Sequence, residues 1–266
     1  MLLTDSFSAR TTAYTNTVEC NDAVYQDFVQ QFEKIPFLVE HRQHIETHQL
    51  GYGGPAFHYM WYLILSHWVS QIETPKFLEI GVFKGQMISL WALIARQHRW
   101  SIEISAISPL QGNPLPTSKW SRRWKNLINP QFVEEIKAGN FYPEEDYRAA
   151  IHQLFQTFDL DLEKIRLIQG YSNDATVLES VEGEQFSVIY VDGDHTFKGV
   201  ESDIHNYASK LQPNGFLVMD DASYYVPGTA FWKGHEPVSR ACEIIPSLGF
   251  INILNMGHNR IYQRVG

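Results

Sequence analysis

The sequence predicts an α/β fold: a doubly wound, mostly parallel sheet closed by a C-terminal antiparallel hairpin. Three observations carry this. From residue 75 onward, short apolar runs alternate with segments of helical periodicity, the order that builds parallel βαβ units. The run at 77–80 passes through Gly81 and Gly85 into a pattern of Met87, Ile88, Leu90, Trp91 and Ile94 at helical spacing, so a strand, a glycine turn and a helix follow one another. The last apolar runs, 250–254 and 260–265, flank Met256-Gly257-His258-Asn259 and read as a hairpin.

Each element can be justified in order. Residues 1–20 are polar and rich in threonine, and read as a loose arm. From Asp22, the spacing of Val24, Phe28, Val29, Phe32 and Ile35 predicts a helix ending at Pro36, with Asn21 or Asp22 as its cap. Residues 41–48 read as a polar, exposed helical piece, and 51–55 (Gly-Tyr-Gly-Gly-Pro) as a flexible joint. The apolar, aromatic segment 58–69 predicts a helix packed on the sheet. The helices before it are open to two roles, a cover over the mouth of the fold or a flank. Residues 1–74 are thus a region preceding a main domain of 75–266.

Within the main domain, 101–107 predicts a second strand with Ser108 at its tip. Residues 113–160 form a helical insertion, with a basic and aromatic start at Trp120, Arg122, Arg123, Trp124 and Lys125 that reads as a solvated helix face. Strands follow at 165–169, 186–191 and 215–219. The loops after them carry Ser172 and Asp174, then Asp192-Gly193-Asp194-His195, then Asp220-Asp221.

Composition narrows the function. The chain has 266 residues, 44% hydrophobic and 19% charged, as expected of a globular protein. A net charge of −9 argues against a non-specific grip on nucleic acid and leaves room for cations. No apolar stretch is long enough to span a bilayer, and the residues from Met1 to Ser6 do not read as a signal peptide. Two distant cysteines, Cys20 and Cys242, form no disulfide framework and suit a reducing cytoplasm.

The chemistry gathers at the strand tips. In doubly wound sheets, ligands bind outside the carboxyl ends of the strands. Glu79 precedes the glycine turn, whose helix offers unpaired N–H groups to a nucleotide-type ligand; a tight turn without a ligand is the plainer reading. Asp192, Asp220 and Asp221 are three hard oxygen donors at two successive tips. They suit Mg²⁺, Mn²⁺ or Ca²⁺ rather than zinc, since no histidine or cysteine cluster accompanies them in the sequence; solvated loop acids and helix caps are the alternative. His195, three residues past Asp192, is placed to act as a base near neutral pH. His58, His67, His235 and His258 have no such neighbours in sequence and receive no role. Ser172 and Asp174 stand where a base could be read, although capping explains them equally well.

Glu79-Ile80-Gly81-Val82-x-x-Gly85, Val191-Asp192-Gly193-Asp194-His195 and Gly215-Phe216-x-x-x-Asp220-Asp221 together resemble the class I S-adenosylmethionine-dependent methyltransferases. More narrowly, they resemble the metal-dependent macrocin O-methyltransferases that act on macrolide sugars. The resemblance spans about residues 75–265. It implies a Rossmann-like seven-stranded sheet. It implies S-adenosylmethionine held by Glu79, Gly81 and Gly85 on the methionine and ribose side, with Ser172 and Asp174 near the adenine, Ser108 also at the cofactor, and Asp192 both cofactor-binding and catalytic. It implies a metal, Mg²⁺ or a similar ion, on Asp192, Asp220 and Asp221, with His195 taking the acceptor's proton. Ser108 stands where the superfamily commonly has a ribose-binding acid.

The implied reaction is O-methylation of a small natural product, a sugar or another diol-bearing scaffold. Tyr224, Tyr225, Phe231, Trp232, Trp120 and Trp124 are candidate walls for that acceptor. The aromatic-rich N-terminal region is open to a contact between copies of the chain. Three rival readings stand: a metal-independent methyltransferase using His195, a non-catalytic cofactor-binding scaffold, and a nicotinamide dehydrogenase. The dehydrogenase fingerprint G-x-G-x-x-G is absent from Gly81-x-x-x-Gly85.

Overall fold

The computed structural model describes residues 6–266, so the first five residues of the predicted arm lie outside it. The sheet has seven strands: β1 (Lys76–Ile80), β2 (Glu103–Ser108), β3 (Ile165–Gln169), β4 (Phe186–Val191), β5 (Leu211–Met219), β6 (Phe250–Met256) and β7 (Asn259–Arg264). Their order is β3-β2-β1-β4-β5-β7-β6. Five strands are parallel, and β7 runs antiparallel to both β5 and β6. The winding direction reverses between β1 and β4, which opens a crevice at their carboxyl ends.

Neighbouring residues on each strand serve opposite faces, as a pleated strand requires. Phe77, Val188, Tyr190, Phe216 and Val218 enter one core; Leu78, Ile189, Val191, Leu217 and Met219 enter the other. Because both faces are covered, β4 is buried at every position and shows no polar alternation in its sequence. The second core is closed by helices α9 (Ala175–Ser180), α10 (Phe197–Tyr207) and α11 (Glu236–Ala241).

The first face is covered by the N-terminal helices α1 (Phe7–Ala13), α2 (Val18–Glu33), α3 (Pro36–His48) and α4 (Pro55–Gln71), with α5 (Gln86–His98). Segment 58–69 packs on the sheet as expected. Trp61 meets Tyr190 edge-on at 5.2 Å, and Trp68 meets Phe216 at 5.2 Å. The helices before it join the same core: Phe28 packs edge-on against Tyr59 of α4 at 5.3 Å, and Phe7 reaches Phe216 at 5.1 Å.

Three local expectations are corrected. The described part of the predicted loose arm contains α1 and the start of α2, held by burial of Phe7. Helix α2 is capped by Thr17, whose hydroxyl accepts from the Cys20 N–H, and not by Asn21 or Asp22. Those two side chains instead make long-range bonds. Asn21 donates to the Pro227 carbonyl, and Asp22 accepts from Thr229 and Ala230. Helix α3, read as polar and exposed, buries Leu38, His41, Arg42 and Ile45. Its polar groups are satisfied internally: His41 bonds His58 at 3.1 Å and Ser89 at 2.9 Å.

The insertion folds as α6 (Lys119–Ile128), α7 (Pro130–Ala138) and α8 (Tyr147–Thr157). Helix α6 carries the basic run and buries no residue, so that run is a solvated face. The two cysteines are free. Among the described residues, no helix is long and apolar enough to cross a membrane.

Candidate active site

The switch-point crevice holds two cavities that share a neck. The first, of about 290 Å³, is lined by the β2 tip (Ser108), the loop after β3 (Ser172, Asn173), the β4 loop (Asp192, Asp194) and Asp203 of α10. The second, of about 460 Å³, lies on the other side of the neck. Its walls are the rings of Tyr52, Phe57, Phe141 and Trp232; its floor holds Glu79, Asp192, Asp220, Asp221, His195, His235 and His258. Gly81, Phe83, Tyr142 and Asp192 line both.

Gly81 makes the neck possible. Its φ is +100°, and a Cβ there would sit 2.0 Å from the Asp192 carbonyl oxygen. Only glycine allows the β1 turn to lie this close to the β4 loop. The Asp192 N–H donates to the Ile80 carbonyl at 2.8 Å and fixes the two tips together. Gly85 has a different task. It caps α5 with φ +90°, lines neither cavity, and makes room for Ile151 of α8, 3.0 Å from where its Cβ would be.

The first cavity gathers most of the residues expected near a nucleoside. Ser108 lies at its edge, and its hydroxyl oxygen accepts from the Leu110 N–H. Ser172 donates to Asp203 Oδ1 at 2.5 Å. Asp174 lines neither cavity; its carboxylate accepts from the Tyr171 N–H at 2.8 Å, a local turn bond that accounts for it. Asp203, which the sequence reading missed, is 2% exposed. Burial, with help from the Asp194 charge and against the Ser172 bond, pushes its carboxyl up to about 7.

The second cavity holds the acids, and here the sequence reading needs its main correction. Histidines do accompany the carboxylates. His195, Asp221 and His235 bring ligand atoms within 4.8 Å of one another, and so do Asp220, Asp221 and His258. His235 and His258, given no role from the sequence, arrive from the loop before α11 and from the β6–β7 turn, 40 and 63 residues beyond His195 in the chain. His258 Nε2 lies 3.2 Å from Asp220 Oδ1. Burial, the largest single influence, works to lower His258, but the charge and hydrogen bond of Asp220 together with the charges of Asp221 and Asp192 outweigh it and raise the imidazole to about 9. Burial likewise works to raise Asp220, yet His258 holds it below its ordinary value. These two form a buried ion pair. Asp221 is raised to about 7 by burial and by Asp220, and Asp192 is pushed well up by burial and by both of those acids. Glu79 is raised well above its ordinary value, by burial first and then by Asp192. Its Oε2 is buried without a hydrogen bond.

His195 is held by the insertion. Its Nδ1 lies 3.1 Å from the Ala138 carbonyl, which only accepts, so Nδ1 carries the proton and Nε2 of the neutral ring is a lone pair. Its backbone N–H donates to Asn140, which also donates to Asp194. Nε2 faces Asp221 at 3.5 Å and Asp192 at 3.8 Å, and makes no hydrogen bond. Of the aromatic candidates for the wall, Trp232 lines the cavity. Trp120 and Trp124 are exposed on α6, Tyr224 and Tyr225 are exposed, and Phe231 packs on Tyr25.

The chain shares this architecture with solved enzymes. The O-methyltransferase NovP superposes with a TM-score of 0.57 at 17% identity, over 80% of this chain and 81% of NovP. An O-methyltransferase from Bacillus cereus, solved with S-adenosylhomocysteine, gives 0.53 at 13% identity over 93% and 99% of the two chains. The Podospora anserina methyltransferase PaMTH1, also bound to S-adenosylhomocysteine, gives 0.52 at 16% over 86% and 87%. At these identities the likeness is one of fold. No curated protein sequence matches the chain significantly. A family profile described as "Methyltransferase domain" matches residues 78–222, more than half of the chain and the stretch that runs from β1 through Asp192 to Asp221. The chain therefore belongs to the methyltransferase-domain family, and its two joined cavities lie at that domain's switch point.

Proposed function

We propose that the chain transfers a methyl group from S-adenosylmethionine to a hydroxyl of a small molecule, with the Asp–His cluster activating that hydroxyl. The carrying observation is the pair of cavities meeting at Gly81 and Asp192. The first suits the adenosine end: Ser108 and the Ser172–Asp203 pair offer groups for ribose and base. The Gly81 turn lets the β4 loop close against the β1 tip at the neck, and Glu79 and Asp192 place carboxyl groups beside it for a cation. When bound there, the cofactor supplies an electrophilic methyl on a sulfonium. The protein's own task is then to align a hydroxyl with it and to remove a proton.

The second cavity suits that task. Tyr52, Phe57, Phe141 and Trp232 give flat apolar walls for a sugar face or an aromatic scaffold, and the floor supplies polar groups that orient it. The narrower resemblance to macrolide-sugar enzymes favours a diol-bearing natural product as acceptor. The cluster offers two routes to the alkoxide. A divalent ion on Asp192, Asp220, Asp221 and the neighbouring histidines would lower the hydroxyl's pKa. Without one, His195 Nε2 is the free lone pair facing the neck and takes the proton directly. The Asp220–His258 ion pair favours keeping this second route in view, since it neutralises one acid with no ion. The two free cysteines fit a cytoplasmic enzyme.

Calorimetry with S-adenosylhomocysteine tests the cofactor. Binding is expected with and without EDTA, and it should weaken about 100-fold when Gly81→Ala forces the two strand tips apart at the neck. No binding to the native chain would overturn the reading. Turnover of diol-bearing acceptors that stops in EDTA and returns with a divalent ion would select the metal route.

A further inference from the structure

We propose that His195, His235 and Asp221 form a binding site for a borderline divalent transition-metal ion, of the zinc, cobalt(II) or iron(II) type, in preference to magnesium. The inference deepens the reading above by naming the ion and its ligands. Its test is arranged so that the two fail separately.

Four observations converge. First, the donor spacing fits. His195 Nε2 and His235 Nε2 stand 3.5 Å and 3.6 Å from the same oxygen, Asp221 Oδ2, and the three residues bring ligand atoms within 4.8 Å of one another. Bonds of 2.0–2.1 Å around a tetrahedral ion give donor–donor edges of about 3.4 Å. Second, the tautomer is set for ligation. The Ala138 carbonyl takes the Nδ1 proton of His195, leaving a buried Nε2 lone pair with no hydrogen bond, on a side chain only 12% exposed. A histidine anchored through its far nitrogen is the usual outer-shell arrangement of a metal ligand.

Third, the other two ligands are tied to each other. The His235 N–H donates to the Asp221 carbonyl at 2.8 Å, and the His235 ring stacks on His195 at 4.8 Å with 19° between the planes. Both imidazoles present Nε2 to the same carboxylate oxygen. Fourth, Asp220 is engaged by His258, so Asp221 is the acid left to face the two histidines. Two imidazoles and one carboxylate are a donor set for borderline transition metals; magnesium prefers oxygen ligands and water. Asp192 Oδ1, 3.8 Å from His195 Nε2 and at the neck, lies beside the positions that remain open. In this arrangement His195 is a ligand rather than the base.

The test uses the full chain stripped with EDTA and titrated with Co²⁺ and, separately, with Mg²⁺. Calorimetry and the visible spectrum of bound cobalt are the readouts, and S-adenosylhomocysteine binding is measured in parallel. The expected result is one Co²⁺ per chain, held about 1000-fold more tightly than Mg²⁺, with the intense absorption of four- or five-coordinate cobalt. His195→Ala and His235→Ala should each weaken Co²⁺ by about 100-fold and leave S-adenosylhomocysteine affinity unchanged. His235→Asn replaces the alanine variant if a thermal melt shows that variant unfolded. Equal affinity for Co²⁺ and Mg²⁺, or Co²⁺ binding that neither histidine variant weakens, would overturn the proposal. Cobalt binding with no S-adenosylhomocysteine binding would uphold the metal site and sink the methyltransferase reading.

Discussion

Asp203→Asn is expected to make the ligand-free protein more stable, and to do so in a pH-dependent way. Asp203 is buried at the wall of the first cavity, where Ser172 donates to it at 2.5 Å. Its carboxyl is raised from an ordinary 3.8 to about 7, chiefly by burial. A raised acid makes the folded state bind more protons than the unfolded state between those two values. Stability is therefore fully present below about 3.8 and is lost as pH rises through 7. At about 1.4 kcal/mol per pH unit, the whole gap amounts to about 4 kcal/mol above pH 7. Asparagine keeps a carbonyl oxygen for the Ser172 hydroxyl and carries no charge, so it removes this cost.

Urea unfolding of both proteins at pH 5 and pH 8 reads the effect. The advantage of the variant should grow by about 2–3 kcal/mol between the two. An advantage that is the same at both pH values, or a variant less stable at pH 8, would refute the argument. A charge kept at such a cost beside a ligand cavity is the pattern of a functional site, so the same variant is expected to bind S-adenosylhomocysteine more weakly.

Two further outcomes follow from named groups. Gly81→Ala must accommodate φ +100° and a Cβ 2.0 Å from the Asp192 carbonyl oxygen, so β1 and β4 have to part at the neck. We expect a loss of about 2–4 kcal/mol in unfolding free energy and about 100-fold in S-adenosylhomocysteine affinity; normal binding would show that the neck does not hold the cofactor. His41 is lowered to about 3, by burial first and then by His44 and Arg42. A depressed histidine contributes stability that is present above 6.5 and lost as pH falls toward 3. His41→Gln should therefore soften the drop in unfolding free energy between pH 7 and pH 4 by about 3 kcal/mol, and an unchanged slope would count against it.

Much of this protein is written in local sequence. The strands were legible because their apolar residues cluster in short runs, buried at every position in β4 and interrupted by polar residues in β3, β6 and β7, and the acids at Asp192 and Asp220-Asp221 were legible because they follow such runs. Gly81 was legible because a turn that close to a neighbouring strand tolerates no side chain. Period and residue type fix these features, since they depend on neighbours within a few positions.

What only the tertiary structure decided depends on long-range packing. Helix α3 looked polar because His41 and Arg42 read as surface residues, yet His58 and Ser89, from two other helices, satisfy His41 inside the core. Asn21 and Asp22 looked like caps, but their partners are the carbonyl of Pro227 and the 229–230 backbone, more than 200 residues away. The same physics governs the site. Asp221 is one acid among many until the loop before α11 lays His235 against it and the end of α7 turns His195 toward it through the Ala138 carbonyl. Sequence placed the carboxylates, because strand ends are local. Which imidazoles stand beside them was settled only by the closure of the β6–β7 turn, the α11 loop and the insertion over one crevice.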